Sequence, residues 1–351
     1  MRNYSLENIL NITRDREPDF DNLLAVLNKK EPSRHTLFEF FLNDPLEVKL
    51  AGWEGSPANE EEYFHCKIKA FRNAGYDYTT VIASNFGFKH GTAQHKKSKS
   101  ANEGSVIYDW ESFEAYDWEN PQSYYTGRIE KIEKFLPDGM KFIVCAPCGV
   151  LENVIGLIGF DNLCYMTLDD SELLKTIADN VGQSLYEYYE QIVNYNSVGA
   201  IIANDDWGFN TQTMLSTEDM RKYIFPWHKK IVELAHNVGK PVILHSCGNL
   251  EKVWDDIIDD IKIDGKHSYE DNIKPVENMY DALKGKIAVL GGIDMDFVCR
   301  KSQDEIYDRC TAMLKKTNCK GYALGTGNSI PYYLPDENYF AMISAVFNNT
   351  I

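Results

Sequence analysis

The sequence has no run of about 18 or more apolar residues, the length a membrane-spanning helix needs. It also lacks a basic start followed by a short apolar segment of the secretory kind. Basic charge is scarce: 36 Lys and Arg stand against 53 Asp and Glu, a net −17. Such a surface repels phosphate backbones, so nucleic acid is not an expected partner, and nothing points to a membrane. Cysteine is sparse, at eight in 351 residues. That fits reduced thiols and a cytoplasmic setting better than a disulfide framework. No Gly-x-Gly-x-x-Gly follows the first apolar run, which argues against a dinucleotide-binding unit.

What is present is a globular composition, 44% apolar and 25% charged. It is organised as short apolar runs alternating with amphipathic helical stretches. The runs cover 35–40, 79–85, 141–146, 200–206, 241–248, 263–268, 287–294 and 321–328. Eight such units predict a (β/α)₈ barrel, with a doubly wound open sheet as the rival. Residues 1–34 are expected to be an N-terminal helical extension packed across the bottom of a barrel formed by 35–351. Ser171 to Val193 and the stretch opened by Ser216 or Thr217 read as helices, the latter stopped by Gly239. The polar segment from about 86 to 125, with His90-Gly91-Thr92-Ala93-Gln94-His95, reads as an insertion after the second run, where a barrel carries a substrate loop.

In a barrel, the residues that end the strands converge on one mouth. Here those ends carry Glu39, Asn85, Cys148, Asn204-Asp205-Asp206, His245-Ser246-Cys247, His267 with Glu270, Asp294 and Asn328. His245 and Cys247 are two apart, so on a strand they point the same way and suit one metal ion with N and S ligands. The plain alternative is packing and hydrogen bonding. Cys145-x-x-Cys148 has no second pair, so Cys145 reads as buried strand with Cys148 alone near the mouth. Of Asp205 and Asp206, one should face inward and the other the loop, with acid–base, metal and capping roles all open. His228 and His236 lie on a helix and read as structural.

A wider pattern then joins these residues. Gln212-Thr213, Leu215-Ser216, Phe225-Pro226, His236, Gly239-Lys240-Pro241 and His245-Ser246-Cys247-Gly248-Asn249 are similar to the uroporphyrinogen decarboxylase superfamily. So are the opening, Leu23 through Pro32 with Phe38-Glu39-Phe40, and the ending, Gly327 to Pro331 with Pro335 and Glu337-Asn338. The resemblance implies a TIM-like barrel. Decarboxylases of this group carry Arg-Gln-Ala-Gly-Arg near the N-terminus, whereas the matching stretch Thr36 to Phe41 has no arginine. Their key aspartate matches Asn85, and an amide cannot hold the charge that stabilises pyrrole protonation. The corrinoid-dependent methyltransferase branch fits better. Its zinc motif is His-x-Cys with a distant Cys after the last strand; His245 and Cys247 match the first two ligands, and Asn328 stands at the third. Cys319 precedes the last strand and belongs at the bottom.

The resemblance therefore implies transfer of a methyl group between a small methoxy or methylamino compound and the cobalt of a corrinoid (cobalamin) protein partner. A mixed Zn²⁺ site of His245, Cys247 and an acid such as Glu270 or Asp205 is one expectation; metal-free acid catalysis by Asp205, Asp206 or Glu270 is the other. Glu39, Asn85, Cys148, His267, Asp294 and Asn328 are the expected substrate-binding residues. Porphyrinogen decarboxylation, and tetrapyrrole or corrinoid binding without catalysis, are the alternatives.

Overall fold

A computed structural model describes residues 2–91 and 102–349; Thr92-Ala93-Gln94-His95 of the insertion lie outside them. Seven parallel strands pair in sequence order: β1 Tyr78–Ile82, β2 Lys141–Cys145, β3 Val198–Asn204, β4 Val242–His245, β5 Gly265–His267, β6 Ala288–Leu290 and β7 Tyr322–Ala323. Apart from the half-buried Ile82, their Val, Ile and Leu side chains are buried, as expected where both faces are covered.

The first apolar run joins the ring differently from the other seven. On one side it bridges Leu37 to Leu324, with Phe38 N–H donating to Leu324 O and Leu324 N–H to Thr36 O, both at 2.8 Å. On the other side side chains replace the ladder. The Tyr78 hydroxyl accepts from the Glu39 amide (2.7 Å) and donates to the Glu39 carbonyl (2.6 Å), while Thr80 Oγ1 donates to Phe40 O (2.6 Å). The barrel is thus closed by hydroxyl groups standing between run 35–40 and β1.

Helices follow the strands on the outside. Asp170 caps Ser171–Glu190 by accepting from Leu173 N–H (3.1 Å). Ser216 caps the next helical stretch; it runs through a π turn at Met220–Ile224 into Phe225–Asn237 and ends before Gly239. Pro226 explains the π turn. Proline has no N–H for the ordinary bond, and Phe225 N–H reaches back to Met220 O instead. The N-terminal helices Leu6–Ile12 and Asp21–Leu27 lie at the strand-start end. There Phe20 and Leu27 press on Gly199 and Gly265, where a Cβ would come within 2.4 Å and 2.7 Å of them. Within the insertion, Trp110–Ala115 and Pro121–Tyr124 are short helices, and Phe86, Phe88 and Ile107 are buried. Among the described residues no helix is long and apolar enough to cross a membrane.

Candidate active site

Register places the central residues. Parallel pairing sets Asn204 beside His245 and His245 beside His267, so the two imidazoles leave adjacent strands on one face with ring centroids 4.9 Å apart. Phe40 covers His245 and Phe38 covers His267.

Hydrogen bonds fix the tautomers. His267 Nε2 lies 3.1 Å from Thr326 O, and a carbonyl only accepts, so Nε2 carries the hydrogen. His267 Nδ1 is then an acceptor. It takes the hydrogen of His245 Nδ1 at 2.8 Å, which leaves the lone pair of His245 on Nε2. Burial agrees. It holds the His245 imidazolium well below the ordinary range, with His267 and Lys266 adding to the effect, and it lowers His267 to about 3.

Beyond β4 the chain turns at Gly248, whose φ is +86°; a Cβ there would lie 2.1 Å from Gly208 O. Cys247 immediately precedes this turn, and its N–H donates to Asp206 Oδ1 at 2.8 Å. One ligand atom each from Asp206, His245 and Cys247 lies within 4.8 Å of the others. Cys247 Sγ accepts from Ser268 Oγ (3.4 Å) and Asn328 Nδ2 (3.5 Å). Burial, with Asp206 adjacent, pushes its thiol up to about 12, so a cation is what would hold it as thiolate. A neutral imidazole lone pair, a sulfur and a carboxylate suit Zn²⁺.

Thr326 ties this cluster together. Besides taking the His267 hydrogen, its N–H donates to Glu39 Oε1 (2.7 Å). Its hydroxyl lies 2.6 Å from Glu39 Oε2 and 2.5 Å from Asn328 O. One hydroxyl hydrogen serves one acceptor. Thr326 donates to the Asn328 carbonyl, and Glu39 is the protonated partner. Complete burial raises the Glu39 carboxyl to about 8, in accord.

The other expected site residues are distributed unequally. Asp205 is fully buried and accepts from Leu151 N–H, Glu152 N–H (both 3.0 Å), Trp207 Nε1 and His228 Nε2 (both 2.9 Å). It anchors the start of helix Val150–Ile158. Asp206, not Asp205 or Glu270, joins His245 and Cys247. Glu270 accepts from Gly248 N–H at 3.4 Å and borders two cavities at the mouth. Asp294 caps helix Met295–Arg300 through Phe297 N–H (3.0 Å) and takes Asp271 N–H (2.9 Å). Asn85 Oδ1 accepts from Arg128 Nη2 at 2.5 Å, on the wall of a cavity of ≈560 Å³ shared with Tyr63, Phe64 and Lys67. Cys148 is exposed at φ +63° in the loop after β2, while Cys145 is buried. Cys319 lies at the opposite end of the barrel against His35 Nδ1.

Glu152, Lys266 and Thr326 escaped the sequence reading. Glu152 sits by Asp205 and Asp206, and burial raises its carboxyl to about 8. A charged residue inside the short buried run Gly265-Lys266-His267 was the signal for Lys266. Thr326 offered none.

The sequence pattern of the uroporphyrinogen decarboxylase (URO-D) family matches residues 51–348, and the chain belongs to that family. Among solved structures it is similar to a methyltransferase from Methanosarcina mazei, at 15% identity and TM-score 0.67 over 92% of this chain and 96% of that one. It also matches a putative vitamin-B12 independent methionine synthase from Listeria monocytogenes, at 13% identity and TM-score 0.48 over 90% and 98%. At such identities the likeness shows the fold alone. No curated protein matches the chain.

Proposed function

We propose that the chain is a methyltransferase acting between a small methoxy or methylamino compound and the cobalt of a corrinoid protein, with Asp206, His245 and Cys247 holding Zn²⁺. The observation that carries this reading is the convergence of those three side chains at the C-terminal mouth of a URO-D-family barrel. The full-length likeness to a methyltransferase supports it.

When bound, Zn²⁺ supplies Lewis acidity to the heteroatom that carries the methyl group. His245 offers its Nε2 lone pair because His267 and Thr326 fix the tautomer. Cys247 offers sulfur, with Ser268 and Asn328 donating to it. Glu270, beside two open cavities, serves as the proton source for the departing heteroatom. Decarboxylation is disfavoured by the same geometry. Asn85, at the position of the decarboxylase carboxylate, is neutral and committed to Arg128.

The test is incubation of the purified protein with reduced cobalamin and a panel of methoxy and methylamino donors, followed by cobalamin absorbance. Turnover with at least one donor, abolished in His245→Ala, is expected. No turnover with any donor, together with release of coproporphyrinogen from uroporphyrinogen, would overturn the reading.

A further inference from the structure

A cavity of ≈180 Å³ lies between the loops that follow β4 and β5, walled by Asn249, Trp254, Lys266, Ser268, Tyr269 and Glu270. Lys266 enters it from the middle of β5 and is only 2% exposed. Its ammonium packs on the Tyr269 ring, 4.3 Å from the centroid, and among the described residues its one hydrogen bond is to Ser268 O. Among the described residues no carboxylate oxygen lies within 4.0 Å of Nζ. The other deeply buried lysine among the described residues is the contrast: Lys67 Nζ has Glu47 Oε1 at 2.7 Å. A buried ammonium with one carbonyl partner leaves two donors without acceptors and a charge without an adjacent counter-ion, which is unfavourable.

Glu270, Asp206 and Cys247 lie near enough to favour the ammonium, yet among the described residues no carboxylate forms an ion pair with it, and each has another partner. Glu251 pairs with Lys274 at 3.9 Å. Glu270 accepts from Gly248 N–H. Asp206 and Cys247 face one another in the cluster described above. Burial lowers Lys266 to about 8, the direction expected of a lysine without its counter-ion. The remaining wall is apolar, with Leu250, Trp254, Ile273 and Met279.

We propose that this cavity is a binding site for a small monocarboxylate, its acid group anchored by Lys266 and its apolar body lying against Trp254 and Met279. A lysine is a point charge, which suits a single carboxylate oxygen. A void of about 150 Å³ holds benzene, so the ligand is about the size of benzoate. The assignment does not rest on methyl transfer. Should that reading hold as well, the acid sits behind Ser268, whose hydroxyl touches Cys247, and is then part of the substrate.

The experiment is calorimetric titration of the full chain with sodium benzoate and sodium propionate, and with benzamide and propionamide as neutral counterparts. At least one carboxylate should bind about tenfold or more tightly than its amide. Lys266→Met should weaken it about tenfold or more, while Lys274→Met on the same rim stays within about threefold. Equal binding of acid and amide, an unaffected Lys266→Met, or no binding up to tens of millimolar would overturn the proposal. If Lys266→Met does not fold, the acid–amide comparison in the native chain decides. Zinc uptake by Asp206, His245 and Cys247 is measured separately and is untouched by any of these outcomes.

Discussion

The side-chain amide of Asn328 donates to Cys247 Sγ at 3.5 Å, and it has no freedom to flip, because its Oδ1 accepts from Ser329 N–H at 2.7 Å. Asn328 thus supports the sulfur where the related zinc motif places another thiol. Asn328→Cys should raise Zn²⁺ affinity at least about tenfold, since a second thiolate joins one sulfur, one nitrogen and one oxygen. Competition against a chelator measures it; an affinity equal to the parent's would mean that position 328 does not face the metal.

Among the described residues His267 hydrogen-bonds to His245 and to neither Asp206 nor Cys247. Its replacement should act through orientation and tautomer alone. His267→Phe is expected to lower Zn²⁺ affinity about 10- to 100-fold. His267→Gln, which keeps a donor for Thr326 O and an acceptor for His245, should lose less. Equal losses in the two variants would point to packing against Phe38 as the whole role.

Glu39 predicts a pH dependence of stability. Its carboxyl goes from an ordinary 4.5 to about 8 on folding. Between those values the folded chain binds a proton that the unfolded chain has released. Stability from this group is complete below about 4.5 and is lost as pH rises through about 8. Glu39→Gln keeps an acceptor for Thr326 N–H and a donor for its hydroxyl without titrating. Its melting temperature should exceed the parent's at pH 8.5, with the gap closing toward pH 5. A gap independent of pH would show that Glu39 is ionised throughout.

Asp205 should behave as a fold residue. Asp205→Ala leaves four donors without an acceptor, two of them at the start of a helix. A loss of about 3–5 kcal/mol is expected in denaturant unfolding. A variant of native stability with impaired turnover would instead return Asp205 to catalysis.

The barrel was legible because its strands are buried on both sides and read as apolar runs ending in polar residues. The run at 35–40 read like the others, yet its seam with β1 depends on the Tyr78 and Thr80 hydroxyls, which strand periodicity does not encode. His245 and Cys247 stood out by spacing. The choice between Asp205 and Asp206 did not, because it depends on where the chain leaves the ladder: Asp205 N–H still bonds His245 O at 2.9 Å, and Asp206 lies past it. Thr326 was silent for a different reason. Its partners Glu39 and His267 are distant in the chain, and a threonine near a strand end carries no mark of what it joins.

The account's central claim is that Asp206, His245 and Cys247 form one metal site. Metal analysis of the protein equilibrated with Zn²⁺ and dialysed, beside His245→Ala treated identically, tests it most directly. About one equivalent in the parent and almost none in the variant is the predicted result; no zinc in the parent, or equal zinc in both, would contradict it.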